Sequence, residues 1–211
     1  MTIAASAQAL ESATDTNHLT IGVLALQGDY AAHARAFSNA GARTVLVRSP
    51  EELKGLDGLV LPGGESTTML KFLEKAGFFD ALGEFVSCTP CFATCAGCIL
   101  VAREVLHPNQ RSLGALNATV ERNAYGRQID STILTLPTEL AGGPLEMVFI
   151  RAPRITRVGD DVEVLAKRDE FPVLVRQGDL LAATFHPEMT ADTRVQQLFL
   201  DMVRKHKSAR Q

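Results

Sequence analysis

The sequence predicts an α/β protein, a three-layer sandwich with a mainly parallel, twisted sheet and an antiparallel extension. In the first half of the chain, apolar runs alternate with helical segments across short turns, which is typical of a doubly wound parallel sheet. In the second half, six short β-like runs separated by turn signals predict hairpins and a mixed or antiparallel extension of that sheet. A chain of 211 residues with no repeat and no linker fits one domain with a large core.

The strands of the parallel part are expected where continuous apolar runs indicate burial on both faces of a sheet. These runs are Leu19–Leu26, Thr44–Val47, Asp57–Leu61 and Cys91–Cys95. Turns rich in glycine or proline separate them from helices, the first of which is expected to be capped by Asp29. The helices are expected to run from that cap through Ala40, and over Pro50–Lys54, Thr67–Lys75, Phe78–Val86 and Ala96–Ala102.

The β-like runs of the second half are Leu116–Glu121, Gln128–Leu136, Met147–Ile150, Val162–Lys167, Val173–Gln177 and Leu180–Thr184. A last helix is expected over Ala191–Lys205, because its apolar residues recur on one face that can dock on the core. We expect residues 1–19 to form a disordered N-terminal extension, with a short helical tail as the alternative. Residues 20–206 are expected to form the domain, and residues 207–211 a C-terminal tail.

Composition argues against two classes of partner. A formal net charge of −3 disfavours a nucleic-acid surface or an anionic membrane.

No apolar run approaches the ~20 residues that a membrane-spanning helix needs. Residues 1–19 lack the basic start and apolar core of a secretory signal, and they contain no arginine, unlike a mitochondrial transit peptide. We therefore expect a cytoplasmic protein.

Four cysteines, Cys88, Cys91, Cys95 and Cys98, lie within 11 residues, a spacing that raises the possibility of a zinc or iron–sulfur site. If Cys91 and Cys95 lie at the two ends of a strand, a rise of ~3.3 Å per residue separates them by ~13 Å. That separation disfavours a shared metal ion, and the lack of an export signal disfavours disulfides. We expect Cys88, Cys91 and Cys98 to be small buried or half-buried residues of the scaffold.

Cys95 differs from the other three because it stands between an apolar strand and a helix opened by Ala96 and Gly97. Such a turn lifts the thiol above the sheet, and the free N–H groups and dipole of the helix favour the thiolate. The arrangement is the cysteine counterpart of the G-x-S-x-G nucleophile elbow. A cysteine nucleophile needs a base, which is usually an imidazole.

His186 is the candidate base, because it follows the run Leu180–Phe185 and ligands of open α/β sheets bind beyond the carboxyl ends of strands. Glu188 is placed to accept an N–H from His186 and fix its tautomer, which completes a Cys-His-Glu triad. The other histidines are expected in the N-terminal tail, on a helix surface, in a loop and near the C-terminus: His18, His33, His107 and His206.

Several motifs resemble those of one family. Pro62-Gly63-Gly64, the TCAG stretch around Cys95 and the FHPE stretch around His186 resemble class I (triad) glutamine amidotransferases, a flavodoxin-like fold. Four further stretches are similar to the glutaminase subunits of pyridoxal 5′-phosphate synthase: Leu26-Gln27-Gly28, GGESTTM from Gly63, ERNAYGRQ from Glu121 and FIRAP from Phe149. The resemblance covers about residues 20–206. One departure is Ala93, where the family commonly has glycine; we expect a strand to tolerate it.

The resemblance implies hydrolysis of L-glutamine to L-glutamate and ammonia. Cys95 attacks the side-chain amide to give a γ-glutamyl thioester, His186 moves the protons, and Glu188 orients His186. Backbone N–H groups of Gly64 and Ala96 are expected to hold the oxyanion.

By the same resemblance, glutamine is bound by Gly64, Glu65, Ser66, Arg122, Ile150 and Arg151. Which arginine holds the α-carboxylate stays open. Each of these assignments has a purely structural alternative. Glu65 and Ser66 could serve only as a helix cap, and the two arginines only as partners in surface ion pairs. Gln27-Gly28 and Gly63-Gly64 could be plain turns.

The implied partner is the synthase subunit, a (β/α)8 barrel in a multi-subunit complex, which receives ammonia through a channel and forms pyridoxal 5′-phosphate. The chain itself is expected to need no cofactor and no metal. Three alternatives stay open: a glutaminase that serves another ammonia acceptor, a hydrolase or chaperone of the related cysteine-elbow type, and a non-catalytic binding subunit.

Overall fold

The computed structural model describes residues 19–122 and 131–210. In these residues the strands are β1 (Thr20–Leu24), β2 (Arg43–Val47), β3 (Gly58–Leu61), β4 (Cys91–Thr94), β5 (Ala102–Leu106), β6 (Leu116–Glu121), β7 (Thr132–Leu136), β8 (Leu145–Phe149), β9 (Arg154–Val158), β10 (Glu163–Arg168), β11 (Phe171–Gln177) and β12 (Leu180–Ala183). The α-helices are α1 (Tyr30–Asn39), α2 (Ser66–Leu73), α3 (Phe78–Cys88), α4 (Ala96–Val101) and α5 (Arg194–Ala209). Short 3-10 helices lie at Pro50–Leu53, Lys75–Gly77 and Pro187–Met189.

The main sheet of the described residues has seven strands in the order β10-β11-β12-β4-β3-β1-β2. Neighbours from β12 to β2 are parallel, whereas β11 and β10 extend the sheet antiparallel from β12. The predicted fold class, a mainly parallel sheet with an antiparallel extension, is thus confirmed. Since β12 follows β11 through a short turn but pairs with β4 on its other side, the extension brings His186 beside the parallel strands.

Strand residues alternate between two cores, one on each face of the sheet. On β4, for example, Cys91 and Ala93 belong to the core under α2, α3 and α4, whereas Phe92 belongs to the core under α1 and α5. Phe92 packs there against Phe37 of α1 and Phe199 of α5, with ring centroids 6.3 and 5.8 Å away. Full burial of such a ring contributes about 1.5–3 kcal/mol relative to exposure. The two helical layers and the sheet make the predicted three-layer sandwich.

The expectation for the second half was right in part. The predicted hairpins are present, and β7 pairs with β8 in one of them. The runs around β6, β7 and β8, however, do not extend the main sheet: β6 lies in a three-stranded sheet of order β5-β6-β9, and β7 and β8 form a sheet of two strands. Sequence reasoning missed β5 and β9. The helix expected through Ala102 ends at Val101, because β5 begins at Ala102 without an intervening turn.

The ends of the chain differ in part from expectation. Helix α5 begins at Arg194 rather than Ala191 and continues through Ala209, so residues 207–209, expected in a C-terminal tail, are helical. Residues 1–18, which make up nearly all of the expected extension, lie outside the described residues, as do Asn123–Gln128 of the ERNAYGRQ motif. None of the described helices has both the length and the apolar content to cross a membrane.

Two smaller predictions were also wrong. Asp29 occupies the N-cap position of α1, but its side chain makes no capping hydrogen bond. Cys88 is exposed at the end of α3 rather than buried or half-buried, whereas Cys91 and Cys98 are buried as expected.

The four parallel strands that precede the candidate site residues are neighbours in the order β12-β4-β3-β1. Because parallel strands end at the same edge of a sheet, the turns after them meet there. Those turns carry Gln27-Gly28 after β1, Gly63-Gly64 after β3, Cys95 after β4 and His186 after β12.

Candidate active site

Cys95 sits at the junction of β4 and α4 with a φ of 48°, a left-handed conformation that non-glycine residues rarely adopt. Such strain costs on the order of 1–3 kcal/mol and persists where the surrounding structure enforces it. Here the Cys95 N–H donates to Ala183 O of β12 at 2.9 Å. Gly97 lets α4 approach β3, since a Cβ there would collide with Leu61 O. Ala93 lies in regular strand pairing with Ala182, as the expected strand conformation requires; tolerance of alanine there stays a prediction.

His186 and Glu188 form a buried pair. The backbone N–H of His186 donates to Val148 O at 2.8 Å, and Glu188 follows in the 3-10 helix Pro187–Met189. His186 Nδ1 lies 2.7 Å from Glu188 Oε1, and the Glu188 side chain is fully buried. The close approach that the two-residue spacing predicted is therefore present.

The pKa of each member of this pair is displaced. Burial by itself lowers the pKa of His186, but the adjacent Cys95 and the Glu188 carboxylate raise it to about 10. Burial raises the pKa of Glu188, but the hydrogen bond from His186 and the nearby imidazole of His33 lower it to about 2. Both shifts favour an imidazolium held by a carboxylate.

Gly63 lies between the thiol and the imidazole. A Cβ built on Gly63 would be 2.5 Å from His186 Cε1 and 3.2 Å from Cys95 Cβ. The thiol and the ring therefore flank the same glycine, and the absence of a side chain at Gly63 is what lets them lie close together. The Cys95 Sγ lies 4.0 Å from Ile150 O, on the side of the adjoining cavity.

The turns after β1 and β3 interlock. Gly28, with a φ of 92°, has no room for a Cβ because it would collide with Gly63 O. Gly64, with a φ of 150°, packs in turn on the Gln27 side chain and on Gly28. Gln27 Oε1 accepts the Glu65 N–H at 2.8 Å. Both glycines are thus required by close backbone approach as well as by positive φ.

Glu65 caps helix α2. Its carboxylate accepts hydrogen bonds from the backbone N–H groups of Thr67 at 3.1 Å and Thr68 at 2.7 Å. Burial raises the pKa of the carboxyl, but the hydrogen bonds from Thr68 and Thr67 outweigh it and lower the pKa to about 2. The helix-cap role is confirmed for Glu65, and its side chain is still 48% exposed, which leaves it accessible to a ligand. Ser66 instead donates to Gln110 Oε1 at 3.0 Å.

The two arginines are placed differently. Arg122 donates to Thr67 Oγ1 at 3.0 Å and approaches Glu65 Oε1 at 3.6 Å, with only 13% of its side chain exposed. The arginine is thus mostly buried, and it lies within ion-pair distance of the half-exposed Glu65. Arg151 is exposed and has a φ of 44°, a second strained position beside Cys95. Strain of this kind clusters at functional sites.

One cavity brings most of the predicted residues together. It is lined by Cys95, Ala96 and the six residues expected to bind glutamine, Gly64, Glu65, Ser66, Arg122, Ile150 and Arg151. The FIRAP and GGES motifs therefore meet at the elbow. Ile99 of α4 and Pro153 also line it, and sequence reasoning did not single them out for this role.

His33 was wrongly expected on a helix surface. It is fully buried, and its Nε2 faces Thr94 Oγ1 and Glu188 Oε2. A signal existed, because His33 and the apolar Phe37 are four residues apart and so share one face of α1. Both are buried in the core.

The remaining thiols do not line this cavity. Burial raises the pKa of Cys98 to about 12 and raises that of Cys91 as well, so neither has thiolate character. Over residues 19–122 and 131–210, no group of three or more His, Cys, Asp or Glu side chains is arranged to hold a metal ion.

The fold and the site together define a class of protein: a three-layer α/β sandwich with a cysteine on a strand-to-helix elbow and a buried His–Glu pair beside it. Comparison with known proteins narrows the class. The model of the SNO glutamine amidotransferase family matches residues 23–205, and the chain belongs to that family. The resemblance seen in the motifs is thereby confirmed.

Individual relatives and a solved structure agree with this family assignment. The chain is 60% identical to pyridoxal 5′-phosphate synthase subunit PdxT of Koribacter versatilis over 190 residues, which is 90% of this chain and 98% of that protein. It is 48% identical to the subunit of the same name from Thermotoga maritima, over 88% of this chain and all of that one. A crystal structure of a glutamine amidotransferase superposes with a TM-score of 0.81 at 46% identity, over 87% of this chain and 98% of the other.

Proposed function

We propose that this chain is the glutaminase subunit of a pyridoxal 5′-phosphate synthase, and that it hydrolyses L-glutamine with Cys95, His186 and Glu188. The observation that carries the proposal is the convergence of the elbow cysteine, the buried His–Glu pair and a cavity lined by Glu65 and Arg122. Membership of the SNO family and similarity to PdxT subunits support the assignment to pyridoxal 5′-phosphate synthesis.

In the first half of the proposed reaction, the Cys95 thiolate attacks the side-chain amide carbon of glutamine. The carbonyl oxygen becomes an oxyanion, which the N–H groups of Gly64 and Ala96, two residues of the cavity lining, are proposed to hold. Ala96 suits this role because the first N–H groups of a helix have no partner within it. His186, protonated through the ion pair with the thiolate, gives its proton to the amide nitrogen. The C–N bond breaks, ammonia leaves, and a γ-glutamyl thioester remains on Cys95.

In the second half, His186 takes a proton from water, which attacks the thioester carbonyl. The C–S bond breaks, glutamate leaves, and the thiolate–imidazolium pair is restored. Glu188 keeps one tautomer of His186 in both halves, because its Oε1 accepts the hydrogen on Nδ1 and so leaves Nε2 free to exchange protons. The raised pKa of His186 supports its part as the proton donor.

Recognition of glutamine is proposed to use opposite charges on the two sides of the α-carbon. Glu65 stays ionised at neutral pH because its pKa is about 2, and it can accept hydrogen bonds from the α-ammonium. Arg122 or Arg151 holds the α-carboxylate, and Ile150 contributes a carbonyl at the cavity wall. Arg122 is pre-positioned by Thr67 and Glu65, whereas Arg151 is exposed. Comparing KM for glutamine in Arg122→Lys and Arg151→Lys distinguishes the two arginines.

The proposed destination of the ammonia is the synthase subunit, a (β/α)8 barrel that takes it up through a channel. No cofactor or metal is required by this chain for the proposed steps. The proposed location is the cytoplasm, where reducing conditions keep a thiol nucleophile and its neighbours reduced.

Ammonia release from L-glutamine, measured with and without the synthase subunit of a close relative, tests the proposal. We expect release that rises when the synthase is added, and none above background from Cys95→Ala. The matched control is Cys98→Ala, which removes a buried thiol of α4, the helix that follows Cys95, and should keep full activity. Absence of activity in both conditions, or full activity of Cys95→Ala, would refute the proposal. Ammonia release without pyridoxal 5′-phosphate formation would instead point to a different acceptor.

A further inference from the structure

His33 is a buried imidazole that the proposed reaction steps do not use. It lies on α1, and none of its surface is exposed to solvent. Its ring meets Phe92 edge-on, with centroids 6.3 Å apart and an interplanar angle of 85°. Its Nε2 lies 3.0 Å from Thr94 Oγ1 and 3.2 Å from Glu188 Oε2. One ring nitrogen thus faces both the residue before the nucleophile and the acid of the triad.

The carboxylate of Glu188 lies between two imidazoles. His186 Nδ1 is 2.7 Å from Oε1, and His33 Nε2 is 3.2 Å from Oε2. A fully buried carboxylate needs donors on both oxygens, because an unpaired one costs desolvation energy. Among the described residues, Oε2 has no aligned hydrogen-bond partner. His33 Nε2 is hydrogen-bonded to Thr94 Oγ1 at 3.0 Å and also lies 3.2 Å from Oε2, where its hydrogen gives the carboxylate an electrostatic contact.

The surroundings also assign the tautomer of His33. Nδ1 is buried without a hydrogen-bond partner in the described part of the chain. A bare ring nitrogen at that place is less costly than an unpaired N–H, and the carboxylate facing Nε2 can only accept. The hydrogen is therefore placed on Nε2.

We propose that His33 is a positioning residue of the triad, which holds Glu188 through Oε2 so that Oε1 stays directed at His186. The inference rests on the proposed function of Cys95, His186 and Glu188. Without this contact, the Glu188 side chain is free to turn about its terminal bond, and the hydrogen bond to His186 weakens. His33 contacts Glu188 and Thr94 and is not among the residues that line the cavity. It therefore acts on the rate through Glu188 and leaves glutamine binding unchanged.

Three substitutions of His33 separate positioning from packing. In His33→Gln, the terminal amide nitrogen reaches the place of Nε2; in His33→Asn, the amide reaches only the place of Nδ1; and His33→Leu fills the space without a donor. For ammonia release by the full chain with its synthase subunit, we expect kcat to fall about 10- to 100-fold in the Leu and Asn variants, with KM changed less than about twofold. The Gln variant should recover to within about fivefold of wild type. Thermal unfolding of each variant reports whether it is folded.

The matched control is Gln196→Leu. Gln196 is also buried, and its amide donates to Pro187 O at 3.2 Å, one residue from Glu188 but without contact to the carboxylate. A change of less than about threefold in kcat is expected there. A loss as large as in His33→Leu would show that any buried polar contact to this 3-10 helix matters, and would overturn the proposal.

A double-mutant cycle with Glu188→Gln gives a readout that a packing role does not move. If His33 acts through Glu188, adding His33→Asn to Glu188→Gln costs less than about twofold beyond Glu188→Gln alone, because the interaction is already lost. Wild-type kcat in folded His33→Asn, failure of the Gln variant to recover activity, or multiplying losses in the double variant would each overturn the inference. If Cys95→Ala itself retained activity, the proposed function would fail, and this inference with it.

Discussion

Gly63→Ala adds a single methyl group between Cys95, the proposed nucleophile, and His186, its proposed base. The new Cβ would lie 2.5 Å from His186 Cε1 and 3.2 Å from Cys95 Cβ. Carbon atoms in contact prefer about 3.5–4.0 Å, so the ring must move by about 1 Å. A displacement of that size near reacting groups costs on the order of 10²-fold in rate, which is about 2.7 kcal/mol of transition-state stabilisation. We therefore expect kcat for glutamine hydrolysis to fall about 100-fold.

The fold should survive this substitution. Gly63 does not lie in the positive-φ region, so alanine can adopt its backbone conformation. Overpacking by one methyl group costs about 1–3 kcal/mol, which is less than the usual stability of a domain. Thermal unfolding and steady-state ammonia release, measured on the same preparation, separate the two effects.

The matched control is Gly83→Ala on α3. Its Cβ would meet Leu113 Cδ2 at 3.7 Å, an ordinary contact, and alanine in a helix interior is favoured over glycine by about 0.5–1 kcal/mol. Unchanged activity and equal or higher stability are expected. If folded Gly63→Ala kept the wild-type kcat, the assignment of His186 as the base beside Cys95 would be wrong.

Two further predictions concern charge. Glu188→Gln removes the carboxylate that helps to raise the pKa of His186 to about 10, and the imidazolium is lost as pH rises through that pKa. The alkaline limb of the kcat/KM profile should therefore move to lower pH, with kcat reduced at least 100-fold; an unmoved limb would contradict the pairing. Glu65→Gln removes the negative charge proposed to meet the α-ammonium and weakens the cap of α2. We expect KM for glutamine to rise at least 10-fold, with a slightly lower unfolding midpoint. An unchanged KM would leave Glu65 as a helix cap alone.

The carboxyl ends of the parallel strands were predictable because short stretches of sequence around each end determine them. A buried apolar run followed by a glycine turn or an elbow marks the carboxyl end of a parallel strand, and such ends share one edge of the sheet. That rule placed Cys95, Gly64 and His186 in one region before any contact was known. The two-residue spacing of His186 and Glu188 then sufficed to predict their pairing, which the 2.7 Å distance matches.

Other features depend on partners remote in sequence. Strand β5 follows α4 without a turn, and it exists because it pairs with β6, so its AREVL sequence carries no boundary signal. His33 is buried by Thr94 and Glu188, which lie 61 and 155 residues further along the chain. Its polarity predicted a helix surface. The four-residue spacing from Phe37 was a signal for burial, but the polar contacts of the imidazole depend on these remote residues.

Trapping the covalent intermediate tests the central claim most directly. The chain with its synthase subunit is quenched in acid during turnover of L-glutamine, digested and mapped by peptide mass spectrometry. The account predicts a γ-glutamyl group on Cys95 and on none of Cys88, Cys91 and Cys98, and its absence in the Cys95→Ala variant. A γ-glutamyl group on another cysteine, or turnover with Cys95 unmodified throughout, would contradict it.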